Sequence, residues 1–177
     1  MIMNKRDYFD YLEQDRIALG YQDRKKPRPY SDEIWKFQRQ LRKLEYLSNC
    51  SSGLAGKIRI ALTKIRFKRM SMQLGFSIPI NVFGPGLSIA HYGTIVVNGK
   101  ARVGKNCRVQ TCVVVGGKYG CGSYPVLGDN CYIGSGAKII GDVKLGDNVV
   151  VGANAVVTKN FGNDVTLVGC PAHPLGR

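Results

Sequence analysis

The sequence predicts a mainly β chain, a three-sided parallel β-helix behind an N-terminal α-helical region, and three observations predict it. Aliphatic residues stand at Val97, Val103, Val109, Val115, Leu127, Ile133, Ile139, Leu145, Val151 and Val157, in one frame of six that only Cys121 interrupts. Glycine follows several of them directly, at Gly104, Gly116, Gly128, Gly134, Gly146 and Gly152. Ahead of residue 75 the apolar spacing is instead three and four, the period of a helix.

An α-helix cannot hold a six-residue phase for so long, and strands of a sandwich keep no constant phase. A coil with flat sides can, because each hexad supplies a short strand and a turn. Three hexads then close a triangular circuit, about 18 residues per rung. On that spacing Val97, Val115, Ile133 and Val151 form one inward column; Val109, Leu127 and Leu145 form a second; Val103, Cys121, Ile139 and Val157 form a third. The aliphatic ladder is the core, and each rung covers the edge of the one before.

The helices come first along the chain. The first is predicted from Asp7 to Leu19, stopping at Gly20, and "RKKPRPY" reads as an extended linker because proline turns its predecessor away from helix. Ser31 is the expected N-cap of the second, with Asp32 and Glu33 in the first turn, where acidic groups suit the macrodipole. Behind it Ile34, Phe37, Leu41 and Leu44 share a face, and Lys36, Arg39, Arg42 and Lys43 make a basic exterior. A third, "LAGKIRIALTKIRFKRMSMQLGF", aligns Leu54, Ile58, Leu62 and Ile65 in a stripe with Lys57, Lys64, Lys68 and Arg69 around it. Such stripes more often pack on their own protein, and peripheral membrane contact is the second reading. The expected division is 1–75, helical, and 76–177, repeat body.

Net charge is +14, and residues 1–75 carry 17 Lys and Arg against 8 Asp and Glu. That excess attracts polyanions in general without choosing among nucleic acid, an acidic membrane or a phosphorylated cofactor. The six cysteines (Cys50, Cys107, Cys112, Cys121, Cys131, Cys170) form no CxxC pair and no zinc spacing, so reduced and mostly buried thiols are expected and no metal. No apolar run approaches the roughly 20 residues that cross a bilayer, and the N-terminus lacks a secretory apolar region, so the expected place is the cytoplasm, with the inner face of the membrane as a variant.

Four stretches carry a resemblance: "GPGLSIAHYGTIVVN", "VVVGGKYGCGSYPVLGDN", "YIGSGAKIIGDVKLGDNVVVGANAVVTKN" and "VGCPAHP". From about Asn81 onward the chain resembles hexapeptide-repeat acyltransferases, which form left-handed parallel β-helices. Within them it looks most like serine acetyltransferases and the similar O-acetyltransferases of capsule and lipopolysaccharide synthesis. The resemblance implies acetyl transfer from acetyl-CoA to a hydroxyl, a homotrimer with active sites between subunits, and no nucleic acid partner.

Carried over by position, His91 would be the general base, a task that suits an imidazole, neutral yet still basic near neutral pH. Backbone N–H groups at Gly116 and Gly117 would meet the developing oxyanion. Gly117, Ser135 and Ala153 match coenzyme A contacts, each one 18-residue rung apart, and Lys159 and Arg177 lie toward the nucleotide phosphates. Tyr92, Tyr119 and Tyr124 are candidates for an acceptor pocket, and His173 in the closing turn is expected to be structural. Two positions depart from serine acetyltransferases: Ala90 stands where an aspartate precedes the histidine, and Tyr124 where a second histidine precedes the proline. Both losses remove groups suited to an amino acid. The sequence therefore favours a saccharide acceptor in surface polysaccharide synthesis, with serine acetylation for cysteine synthesis and a non-catalytic repeat scaffold as alternatives.

Overall fold

Three helices lead into fourteen short strands in the computed structural model, which describes residues 1–118, 120 and 122–176. The helices are α1 (Lys5–Ala18), α2 (Glu33–Cys50) and α3 (Gly53–Leu74). The strands are β1 (Phe76–Ser77), β2 (Ser88–Ile89), β3 (Ile95–Val97), β4 (Arg102–Val103), β5 (Arg108–Val109), β6 (Val113–Gly116), β7 (Val126–Leu127), β8 (Tyr132–Ile133), β9 (Lys138–Ile140), β10 (Lys144–Leu145), β11 (Val150–Val151), β12 (Val156–Val157), β13 (Thr166–Val168) and β14 (His173–Pro174).

The strands form three parallel sheets, the three walls of a coil: β1-β3-β6-β9-β12, then β4-β7-β10, then β2-β5-β8-β11-β13, which the antiparallel β14 closes. Frame residues point inward throughout: Val109, Val115, Ile133, Ile139, Val151 and Val157 are each at most 1% exposed. His173 lies, exposed, in that closing strand, which pairs with β13 at the end of its sheet.

The columns differ from those the constant spacing predicts. Val115 stacks on Ile139, Val109 on Ile133 and Val103 on Leu127, each a step of 24. The true columns are therefore Val97, Val115, Ile139 and Val157; Val103, Leu127 and Leu145; and Val109, Ile133, Val151 and Leu167. Val115 of β6 and Leu127 of β7, successive inward residues of the coil, stand 12 apart where a hexad would give six, so every wall skips six residues there. From β7 to β12 the step is 18, and on the last rung it shortens to 16, from Val151 to Leu167. Cys121, assigned to a column, lies outside the described residues.

Rungs are also stitched at a corner. Asn106, Asn130, Asn148 and Asp164 each adopt positive φ, and their side chains bond in series at 3.0, 3.0 and 2.8 Å. Asparagine and aspartate tolerate this conformation better than other non-glycine residues. Cys107 and Cys131 fill the corner beside them, buried, and burial pushes both thiols up. Cys50, Cys112 and Cys170 are exposed, so the expectation of mostly buried thiols fails for three of the five described.

Helix α1 starts two residues before the predicted point, at Lys5, and the side chain of its N-cap Asn4 accepts from Asp7 N at 2.9 Å. The N-cap of α2 is Asp32, in a left-handed conformation, and not Ser31. Its carboxylate is turned away from the helix toward Arg24, which donates at 2.6 and 3.1 Å, and Arg28 N, at 2.7 Å. Arg42, expected on a basic exterior, is fully buried. It donates to Asp15 at 2.8 Å, to Glu45 at 3.0 Å and to the carbonyls of Phe83 and Gly84 at 2.9 and 2.7 Å. Asp15 in turn accepts the N–H groups of Gly86 and Leu87, both at 2.9 Å. The helices are thereby bolted to the first turns of the coil, and Phe37 and Leu41 of α2 join its hydrophobic core.

Candidate active site

His91 leaves β2 at the corner between two walls, and both sides of that corner are pinned. Gln38 of α2 donates to the Leu87 carbonyl at 2.7 Å and accepts Ile89 N–H at 3.2 Å. Ala90 N–H donates to the Val109 carbonyl at 3.0 Å, and Gly93 N–H to the Leu74 carbonyl at 3.1 Å. Gly93 has a φ of +118°, and a Cβ there would run into Thr111 Oγ1 of the next rung. Between these anchors His91 and Tyr92 project outward, both exposed.

They line, with Ala90, an open pocket of about 380 Å³ whose other walls are Tyr21, Ser31, Asp32, Glu33 and Ile34. The helical region thus supplies most of the pocket. Tyr21 stacks on Trp35 at 4.5 Å between ring centres, and the Arg24 guanidinium lies 4.4 Å over Tyr21. Burial pushes the Tyr21 hydroxyl up, with the Asp32 charge adding to it. Hydrogen bonding from Arg24 holds the Asp32 carboxyl below the usual carboxylate range. Glu33 is less committed: it pairs with Lys36 at 2.7 Å, and its side chain is about half exposed. Exposed pairs of this kind contribute little and exchange easily. No linear motif around His91 announces these carboxylates, because they come from the start of α2.

The other predicted site residues fall on two edges of the β3-β6-β9-β12 wall. Ser135 and Ala153 share the corner of His91: Gly136 N–H donates to the Thr111 carbonyl at 2.9 Å and Asn154 N–H to the Ser135 carbonyl at 2.8 Å. Both are exposed. Gly117 does not stack with them. The 24-residue step puts it over Gly141, whose N–H donates to Gly116 O at 2.9 Å, and one rung further lies exposed Lys159. The three-residue column of Gly117, Ser135 and Ala153 is thus two half-columns, with Thr111 in the place expected of Gly117. Gly116 sits inside β6, its carbonyl engaged in the ladder, and Gly117 is the first residue beyond it.

Tyr124 also lies on the far edge. Its ring packs so closely on Gly117 that a Cβ there would approach Tyr124 Cδ1 to 2.7 Å, and Lys100 Nζ stands 5.1 Å from the ring centre. Within one chain Tyr124 does not line the pocket of His91. Tyr119 and Arg177 lie outside the described residues. Among the described residues, no group of three metal-ligating side chains converges.

Residues 124–159 match the family model for the bacterial transferase hexapeptide, six repeats. The chain is similar to the serine acetyltransferase of Synechococcus elongatus, 35% identical over 53% of this chain and 39% of that one. It is similar also to that of Mycobacterium tuberculosis, 35% identical over 56% of this chain and 44% of the other. It spans about two fifths of the length of these relatives. Its fold matches the crystal structure of Neisseria gonorrhoeae serine acetyltransferase in complex with serine, with a TM-score of 0.72, 25% identity, and coverage of 97% of this chain and 70% of that one.

These relatives overturn the saccharide expectation and the capsule or lipopolysaccharide type with it: the likeness is to serine acetyltransferases. The expectation rested on the residues at Ala90 and Tyr124 alone. Acidic groups absent from the histidine segment re-enter beside His91 from Asp32 and Glu33. Residues 124–159 thus match the bacterial transferase hexapeptide model, and the chain folds as a left-handed β-helix behind N-terminal helices, similar over about half its length to serine acetyltransferases.

Proposed function

We propose that this chain is an acetyl-CoA-dependent O-acetyltransferase acting on the hydroxyl of L-serine, with His91 as general base. The observation that carries it is the pocket: a histidine on a pinned corner, open to solvent, in a pocket that Glu33, its side chain about half exposed, also lines. A carboxylate there suits the ammonium group of an amino acid, which it meets as an opposite charge. Acetyl-CoA supplies the thioester. His91 takes the hydroxyl proton as the serine oxygen bonds to the acetyl carbon, and returns it to the sulfur as the carbon–sulfur bond breaks. Gly117 remains the candidate amide for the oxyanion.

The assembly belongs to the same reading. His91, Ser135 and Ala153 occupy one edge of a wall, and Gly117, Tyr124 and Lys159 the other, so one chain cannot close a site around both sets. The outward face of that wall carries Val96, Val114 and Val156, none fully buried. Three copies around an axis parallel to the coil would cover those valines and bring the edge of one chain against the opposite edge of the next. Coenzyme A would then lie between them, Ser135 and Ala153 lining its arm and Lys159 near its phosphates. Sedimentation at micromolar concentration returning a monomer would remove this assembly.

Release of free thiol from acetyl-CoA tests the activity, with L-serine beside a panel of sugars. Release should depend on L-serine, and His91→Ala should lower kcat/KM by at least about 100-fold. Glu33→Gln should raise KM for L-serine about tenfold with kcat nearly kept, the mark of lost ground-state binding. A sugar that outperforms serine, or a His91→Ala variant at wild-type rate, defeats the proposal.

A further inference from the structure

Helix α3 has two apolar faces, and only one of them is used. The inner face carries Ile60, Phe67, Met70 and Leu74, half-buried, with Gly56, Thr63 and Ser71 buried between them. Gln40 of α2 donates to the Thr63 carbonyl at 3.2 Å, fixing that side inward. On the opposite side stand Leu54, Ile58, Leu62, Ile65 and Met72, between 52% and 76% exposed. At 3.6 residues per turn, their spacing of four, four, three and seven makes one continuous ridge. The stripe expected to pack on its own protein is thus the solvent face.

Cations border this ridge on both flanks. Lys57, Lys64 and Lys68 run along one side and Arg59 and Arg66 along the other, with Arg69 between ridge positions; all six are exposed, and the helix contains no acidic residue. Beside the ridge opens a groove of about 950 Å³, with Leu44, Phe67 and Ile80 among its lining and Lys64, Lys68 and Arg69 beside them. Charge selects the occupant. A second copy would set six cations against six with no acid on either helix to answer them. A layer of anionic headgroups answers all six, and the acyl region beneath it accepts the ridge.

We propose that α3 docks the protein on an anionic lipid bilayer, its ridge lying in the boundary between headgroups and acyl chains. Long lysine and arginine stems lie along the apolar surface while their charged ends reach the headgroup phosphates. The α3 helix does not span the bilayer: no helix among the described residues is long and apolar enough to cross a membrane. The surface is separate from the His91 pocket, so it stands or falls independently of the acetyl transfer proposed above.

Co-sedimentation of the full chain with vesicles is the test, equal parts phosphatidylglycerol and phosphatidylcholine against phosphatidylcholine alone, at low and high salt. The anionic vesicles should hold the protein at least about tenfold more tightly, and high salt should weaken that hold. Ile58→Asp with Leu62→Asp should cut binding by about tenfold or more with every cation still in place. Lys64→Gln with Lys68→Gln should weaken it about fivefold per charge removed, since each cation near the surface contributes about that factor. These positions are exposed, and a thermal melt matching the wild type confirms that each variant folds. Three results overturn the proposal: no preference for the anionic vesicles; an Ile58→Asp, Leu62→Asp variant retained like the wild type; or lipid-free assembly that this variant dissolves, which would make a second copy the occupant.

Discussion

The coil and the helical region are held together by opposite kinds of interaction. In the coil, equivalent inward positions repeat the same contact, as Val109, Ile133 and Val151 do on successive rungs, and each strand covers the edge of its neighbour. In the helices no contact repeats. Arg42, Asp15 and Glu45 form one buried ionic cluster, and the carbonyls of Phe83 and Gly84 and the N–H groups of Gly86 and Leu87 complete it. Repetition spreads stability evenly along the coil, whereas the helical region concentrates its attachment at a few polar groups that must all be satisfied at once. The candidate pocket lies where the two regimes meet, with His91 from the coil and Asp32 and Glu33 from α2.

Breaking the attachment should have the largest effect. Arg42→Ala leaves two buried carboxylates unpaired and should cost about 3–5 kcal/mol. If the attachment is as local as described, calorimetry should show the helices melting before the coil, and a single transition would mean that the two regions unfold as one unit. Ile139→Ala, deep in a column, should cost about 3 kcal/mol. Ile133→Ala, in a different column, should cost nearly the same, and a large inequality between them would contradict the even distribution.

The smallest effect concerns the corner of α2. Hydrogen bonding from Arg24 lowers the Asp32 carboxyl, and a lowered carboxyl stabilises the fold fully above its unfolded value, about pH 4. That contribution is lost as the pH falls through the lowered folded value. Asp32→Asn should therefore lower Tm by roughly 2–4 °C at pH 7, and the gap should begin to narrow as the pH falls below about 4. A gap that persisted in acid would assign the effect to packing instead of charge.

Much of the coil was legible because its signal is local. A hexad predicts an inward aliphatic residue regardless of what its neighbours do, which is why Val97 through Val157 point inward as expected. Stacking is not local: six extra residues between β6 and β7 changed the partners of three walls while leaving the phase of the sequence untouched. That single insertion separated Gly117 from Ser135 and Ala153. The role of Arg42 was hidden for a related reason. On the helix wheel it stands among surface cations, and only the approach of α1 and of residues 83–87 encloses it.

By itself the sequence determined the three-sided coil, the helices before it and the excess of positive charge, since period and composition are properties of the chain alone. Only the tertiary structure decided which rung rests on which, which face of α3 meets solvent and which acids stand beside His91. Those are distances between segments far apart in sequence, fixed by packing and by the pairing of buried charges, and no single stretch of the chain encodes them.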